Sequence, residues 1–218
     1  MDLPQLSASL RDCQRCQLAT GRTQVVFGTG NPQASIMFVG EAPGFYEDRQ
    51  GEPFVGASGK LLTELLQSIG LERSDIYIAN VIKCRPPNNR DPLPDEINTC
   101  KPFLLQQIEL IQPKLVCTLG NFATQTLLGR KVGITTVRGQ VIHLEHFSVF
   151  PLFHPAAALH QDTLRVPLKE DFQKLKAVLE QMSQTPTTPK GISPSSLPMP
   201  QKTPKKTSTD PPIQMNLF

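Results

Sequence analysis

The sequence predicts an α/β domain, a sheet of short strands covered on both faces by helices, followed by a disordered tail. Three observations predict it. Along residues 1–182, short segments rich in Val, Ile and Phe alternate with helix-sized segments. The 218 residues are 39% hydrophobic and 19% charged, which supplies apolar side chains for a core of ordinary size. Beyond Met182 the composition changes: residues 183–218 hold eight prolines and eleven serines or threonines. Such a segment cannot bury enough surface to offset its ordering entropy. The organisation read from this is a folded domain over 1–182 and a tether over 183–218.

The elements follow in order. Residues 35–39 form an apolar strand that runs into Gly40-Glu41-Ala42-Pro43-Gly44. A helix over 58–69 comes next, with Ser58 as N-cap and Gly70 at its stop. Its apolar residues Leu61, Leu62, Leu65, Leu66 and Ile69 fall on one helical stripe. A strand over 76–79 ends at Asn80, and a helix over 95–110 begins with Asp95 as its N-cap. A strand over 114–119 and a helix over 122–128 follow, and there is no internal repeat. The last strand, 148–153, runs into His154-Pro155, and a helix over 166–182 closes the domain. In such sheets ligands bind at the carboxyl ends of the strands. Three strands end there at chemically distinctive residues: the Gly40–Gly44 run, Asn80 and His154.

Charge and composition exclude several classes. No apolar run reaches the ~18 residues of a membrane span. The start, Met1-Asp2-Leu3-Pro4-Gln5, has neither the basic nor the apolar region of a secretory signal, so a cytoplasmic location is expected. Four of the 22 basic residues and one of the 19 acidic residues lie after 182, leaving 18 of each in the body. The net charge of +3 therefore resides in the tail. A neutral body argues against coating DNA by bulk charge but leaves room for a local basic patch.

The five cysteines in a chain without a signal point away from a disulfide scaffold. Cys13 and Cys16 form a Cys-x-x-Cys pair, and Cys84 and Cys100 lie later in the chain with fifteen residues between them. Four thiolates from two places can close around zinc or an iron–sulfur cluster, and ligand type alone does not separate them. Cys117, inside the apolar strand Leu115-Val116-Cys117-Thr118-Leu119, is read as a core residue.

Several segments then become specific. Gly40-Glu41-Ala42-Pro43-Gly44 with Glu47-Asp48 and Gly51-Glu52-Pro53-Phe54-Val55-Gly56 resembles the first motif of family 4 uracil-DNA glycosylases. The run from Tyr77 to Arg90, together with Val137-Arg138-Gly139 and Phe153-His154-Pro155-Ala156, is similar to that family's later segments. Order and spacing agree over residues 8–180. The resemblance implies a three-layer uracil-DNA glycosylase-like fold, with a central four-stranded parallel sheet between helices. It also implies a [4Fe–4S] cluster on Cys13, Cys16, Cys84 and Cys100, favouring iron–sulfur over zinc.

The activity implied is hydrolysis of the N-glycosidic bond of deoxyuridine in single- or double-stranded DNA, by a monomer in the bacterial cytosol. The base must leave the stack and enter a fitted pocket. His154 is expected to donate to uracil O2 as negative charge grows there. Asn80 carries a donor and an acceptor, and can pair with uracil O4 and N3–H together. Cytosine presents the opposite pattern. Phe54 is expected to stack on the base and Glu47 to reject the thymine methyl. Gly40, Glu41 and Ala42 form the floor, where Glu41 positions water or holds the loop. Arg85 and Arg90, with Asn88 and Asn89, and separately Arg138, are expected at DNA phosphates. The segment after His154, Ala156-Ala157-Ala158-Leu159-His160, is expected as a loop that wedges into the duplex; it departs from the family in lacking Ser after His-Pro and Arg near His160. No histidine-bearing insert follows Cys84, so covalent trapping of DNA is not expected. Two alternatives are a non-catalytic uracil or damaged-DNA binding module and a zinc-stabilised DNA-binding accessory protein.

At the end of the tether, Gln214-Met215-Asn216-Leu217-Phe218 resembles the short peptide with which bacterial proteins dock on the DNA sliding clamp. Gln214, Leu217 and Phe218 are its anchors. A flexible tether of this length spans ~30 Å.

Overall fold

The structure, a computed structural model, describes residues 1–184. The tether from residue 185 and the clamp-like peptide with Gln214, Leu217 and Phe218 lie outside the described residues.

The chain opens with α1 (Leu3–Leu10), an element the periodicity did not announce. Asp2 caps it: its carboxylate accepts the Gln5 N–H at 2.8 Å while the Gln5 side chain accepts the Asp2 N–H at 2.9 Å. Leu6 and Leu10 bury one face of α1 against Phe103, which sets Cys13 just beyond its end. Then come β1 (Thr29–Gly30), β2 (Ile36–Gly40), α2 (Phe45–Gln50), α3 (Ala57–Ser68), β3 (Tyr77–Asn80), α4 (Pro94–Ile111) and β4 (Leu115–Leu119). The remainder is α5 (Gly120–Leu128), α6 (Ile134–Val137), β5 (Ile142–His143), β6 (Ser148–Leu152), α7 (Pro155–His160) and α8 (Arg165–Gln184).

The sheet has strand order β1-β3-β2-β4-β6-β5. Its centre, β3-β2-β4-β6, is parallel as expected. The four-stranded expectation is extended by β1 and β5, two-residue antiparallel strands at the two edges. Two residues are too few to show a period in sequence, and such short strands blunt a sheet edge. Two caps also shift. Helix α3 starts after Gly56, placing Ser58 in its first turn. Helix α4 starts after Leu93, whose N–H donates to Glu96 at 2.8 Å, so Asp95 lies inside the helix. The stop at Gly70 holds: Gly70 (φ 81) donates to Gln67 and Leu71 donates to Leu66, closing the helix with a left-handed residue.

The strands are buried on both faces because alternate residues feed two cores. Ile36 and Phe38 of β2, with Ile78, Cys117 and Phe150, pack on Leu62, Leu66, Phe172 and Leu175 of α3 and α8. Met37 and Val39, with Tyr77, Ala79 and Val116, pack on Leu104, Ile108 and Ile111 of α4. Phe38 stacks on Phe172 with ring centroids 6.2 Å apart. Cys117 is fully buried in β4, and burial pushes its thiol pKa up, as befits an inert core residue. Among the described residues no helix is long and apolar enough to cross a membrane.

Phe38 makes this layer contact with 0% exposure. Phe38→Ala is expected to cost about 3–5 kcal/mol of stability, read as a lowered midpoint in urea unfolding with the slope unchanged.

Candidate active site

The carboxyl ends of β2, β3 and β6 meet at one cleft of about 450 Å³, lined among others by Glu41, Ala42, Glu47, Phe54, Asn80 and His154. That volume is in the range of a small-molecule pocket. The parallel register sets Gly40 directly beside Asn80. The ladder continues one step further, with Val81 N–H donating to Gly40 O at 2.9 Å and Ile82 N–H to Glu41 O at 3.1 Å. Glu41 is thereby held at the floor of the cleft.

Gly40 is required by close approach. A Cβ there would lie 2.4 Å from Asn80 Oδ1 and 2.6 Å from the Phe54 ring. The Asn80 side chain is 1% exposed, and its Oδ1 has no hydrogen-bond partner among the described residues. An unmet buried acceptor costs ~1–3 kcal/mol, and this one belongs to a residue that lines the cleft.

Phe54 is buried and adopts φ 57, a left-handed conformation rare for an aromatic residue. Three neighbours hold it there. Arg73, on the turn before β3, donates to Phe54 O at 3.1 Å and to Pro53 O at 2.9 Å. Glu47 Oε1 accepts the N–H groups of Val55 and Gly56, each at 3.0 Å. Gly59 admits the Phe54 carbonyl to a place where a Cβ would sit 1.9 Å from its oxygen. The expected role of Glu47 is therefore widened: it lines the cleft, and one carboxylate oxygen ties the loop that carries Phe54. Arg73 and Gly59 were not anticipated, and an arginine separated from Phe54 by a whole helix leaves no local signal in sequence.

His154 caps α7, and its Nδ1 accepts the Ala156 N–H at 3.1 Å. Burial lowers its pKa to about 4, against a smaller opposing effect of Glu47. At neutral pH the ring is uncharged and carries its proton on Nε2, which makes it a donor. The ring stacks on Phe54 at 5.6 Å between centroids. The segment after it, expected as a loop, is the short helix α7, started by Pro155 at its first position. Burial, and secondarily the charge of Asp91, raise the Glu41 carboxyl pKa to about 7.

The cysteines gather in the apolar clusters that α4 and α1 form. The thiols of Cys13, Cys16 and Cys84 all act electrostatically on, or respond to, that of Cys100, so the four share one neighbourhood. Burial raises Cys84 to about 11 and also raises Cys100. Arg22 Nη1 lies 3.5 Å from Cys84 Sγ, and the Lys83 N–H donates to Cys100 Sγ at 3.3 Å. Among the described residues no three His, Cys, Asp or Glu side chains stand in a closed metal-holding arrangement. The donor chemistry nevertheless suits a soft metal group: thiols only, in apolar surroundings, with a cation and a backbone N–H already directed at sulfur.

Lys83, also not anticipated, connects the two regions. It is 2% exposed, and its Nζ donates to Asn80 O at 2.7 Å and to Gln107 Oε1 at 2.5 Å. Gln107 in turn donates to Phe27 O at 2.9 Å. A lysine within Val81-Ile82-Lys83-Cys84 was the available signal of burial.

The arginines divide. Arg85 packs 5.0 Å above Phe45 and donates to Asn89 at the cleft rim. Arg90 lines the cleft but forms a two-pronged pair with Glu96, at 2.9 and 2.6 Å. Arg138, expected at DNA phosphates, also serves the fold: it pairs at 2.8 Å with the fully buried Asp171 and donates to Pro167 O at 2.8 Å. Its guanidinium also covers the Phe153 ring at 4.9 Å. Arg138 and Lys174 together neutralise the buried carboxylate.

Gly40→Ala is expected to keep the fold by circular dichroism but to eliminate binding of free uracil in a titration followed by protein NMR. Arg73→Ala is expected to lose about 1.5–3 kcal/mol of stability, the worth of hydrogen bonds to a charged donor, in urea unfolding.

Comparison with known proteins identifies the family. The model of the uracil DNA glycosylase superfamily matches residues 27–181. The Type-4 uracil-DNA glycosylase of Sulfurisphaera tokodaii is 48% identical over 184 residues, 80% of this chain and 83% of the relative. That of Saccharolobus solfataricus is 47% identical over 187 residues, 82% of this chain and 87% of the relative. That of Thermotoga maritima is 47% identical over 179 residues, 80% and 93% of the two chains. With a family model matched over residues 27–181 and relatives 47–48% identical over four fifths of its length, the chain belongs to the uracil-DNA glycosylase superfamily.

Proposed function

We propose that the chain hydrolyses the N-glycosidic bond of deoxyuridine in DNA, releasing uracil and leaving an abasic site, the first step of base excision repair. The observation that carries the reading is the pairing, in one base-sized cleft, of an uncharged His154 donor with the unpartnered Asn80 carboxamide. The names of its relatives support the same substrate.

The chemistry follows from the groups present. A uracil turned out of the stack enters the cleft, with Phe54 against its face. Asn80 Oδ1 accepts from N3–H and its amide N–H donates to O4; cytosine would leave both groups buried and unmet. As the bond to the sugar lengthens, negative charge collects on the base and positive charge on the sugar. The His154 Nε2–H is aimed at the anion forming at O2, and a neutral donor suffices. Glu41, as carboxylate, holds the water that adds to the sugar carbon and receives its proton. Glu47 and the loop it ties close the cleft beside C5 and leave no room for a methyl group.

Cys13, Cys16, Cys84 and Cys100 hold a [4Fe–4S] cluster in this reading, supported by the thiol-only donor set and by the Type-4 relatives. The cluster supplies a crosslink rather than chemistry at the base. Arg85 and Arg90 stand where DNA phosphates pass the rim. The peptide ending in Leu217-Phe218, read from sequence alone, docks a cytoplasmic, monomeric enzyme on the sliding clamp.

Uracil release from an oligonucleotide containing one uracil, scored by alkaline cleavage, is the direct test, with a thymine oligonucleotide as control. His154→Ala is expected to lower the rate by about 10²–10³; an unchanged rate removes His154 from the chemistry. Glu41 gains its proton below about pH 7, so the rate is expected to fall as pH drops through about 7. His154 stays neutral down to about 4 and adds no limb in that window. In Glu41→Gln the acid limb should vanish along with most of the activity. The anaerobically purified chain should carry iron and acid-labile sulfide, and Cys84→Ser should lose both.

A further inference from the structure

Helix α2 places two aromatic rings in solvent beside the cleft. Phe45 is 43% and Tyr46 60% exposed, and they are the exposed aromatic side chains among the described residues. The rings meet edge to face at 5.4 Å. Two guanidinium groups lie over the Phe45 ring, Arg85 at 5.0 Å and Arg49 at 5.5 Å. Among the described residues neither arginine has a carboxylate within ion-pair distance. The patch is continuous with the cleft rim: α2 begins after Gly44 and contains Glu47, both lining residues, and Arg85 is bonded to Asn89, another. Tyr46 lies against the Gly56 end of the Phe54 loop.

Exposed aromatic surface costs solubility, and here nothing within the described fold covers it. Rings beside unpaired guanidinium groups match single-stranded nucleic acid: the ring takes a base face and the cations take the phosphates on either side. In an intact duplex each base face is already stacked on its neighbours, so the ring is useful only where the flanking strand is unpaired. We infer that Tyr46, with Phe45 wedged behind it by Arg49 and Arg85, is a stacking subsite for an unpaired nucleotide next to the flipped uracil, and that it biases the enzyme toward uracil in single strands. The inference rests on the uracil-DNA reading above and specifies which form of that substrate the rim favours.

The test uses the full chain with its metal group and oligonucleotides carrying one 2′-fluoro-deoxyuridine, which resists hydrolysis, in single- and double-stranded form. Tyr46→Ala is expected to weaken single-strand binding about tenfold by fluorescence anisotropy and duplex binding less than about twofold, while Tyr46→Phe keeps wild-type affinity. The chain has no tryptophan and two tyrosines, and Tyr77 is 3% exposed, so any part of the emission that DNA quenches by stacking belongs to Tyr46 and Tyr77 supplies a constant background. Single-stranded DNA should quench that emission in the wild type and leave it unquenched in Tyr46→Phe. Equal weakening on both forms, unchanged affinity in Tyr46→Ala, or emission insensitive to DNA each overturn the subsite. Wild-type uracil release from the hydrolysable oligonucleotide is measured beside it: release with no Tyr46 effect defeats the subsite alone, whereas no release defeats the uracil reading.

Discussion

The missing side chain at Gly40 is the constraint on which the site depends. At the end of β2 it lets the Asn80 carboxamide and the Phe54 ring approach the same backbone atoms, each closer than any Cβ would tolerate. The parallel register then fixes which residue of β3 stands there. Because the strands are buried on both faces, a slip of one residue would exchange the two cores and is strongly opposed. The positions of Asn80 and of the floor at Glu41 are thus inherited from sheet packing. Phe54 needs more, since its backbone is strained, and Arg73, Glu47 and Gly59 supply the restraint from three directions.

A second dependence runs along β3 toward the cysteines. Lys83 is buried, donates through its side chain to the carbonyl of Asn80, and donates through its backbone to the sulfur of Cys100. Burial lowers its pKa to about 8, and negative charge on Cys100 and Cys84 opposes that shift. A charged ammonium is therefore easiest to keep when the sulfurs are anionic, which is the form in which they bind a metal group. Asn80 at the cleft is in this way tied to the segment that carries the cysteines.

The electrostatics of the cleft suit a departing anion. Its histidine is uncharged and directed by a backbone N–H, and its floor carboxylate has a pKa raised by burial and by Asp91. Neither group depends on solvent to set its state. Arg49 and Arg85 lie outside the cleft, over the Phe45 ring.

Much of this was written in the sequence. The apolar strands, the chemically distinctive residues at their ends and the cysteine spacing name the sheet, six cleft residues and the thiol set, because each is a local pattern with a local physical cause. The resemblance carried by the Gly40, Tyr77 and His154 segments added the chemistry. Tertiary structure alone decided the rest. The edge strands are too short to have a period, and α1 is made by a cap and two leucines that need Phe103 to bury them. Arg73 and Lys83 act on Pro53 and Gln107, residues brought near by packing, and Arg138 meets a buried carboxylate on α8. The lowered pKa of His154 and the raised pKa of Glu41 follow from burial, and for Glu41 also from the charge of Asp91. A sequence records the types of such groups, whereas their surroundings exist only once the sheet has closed around them.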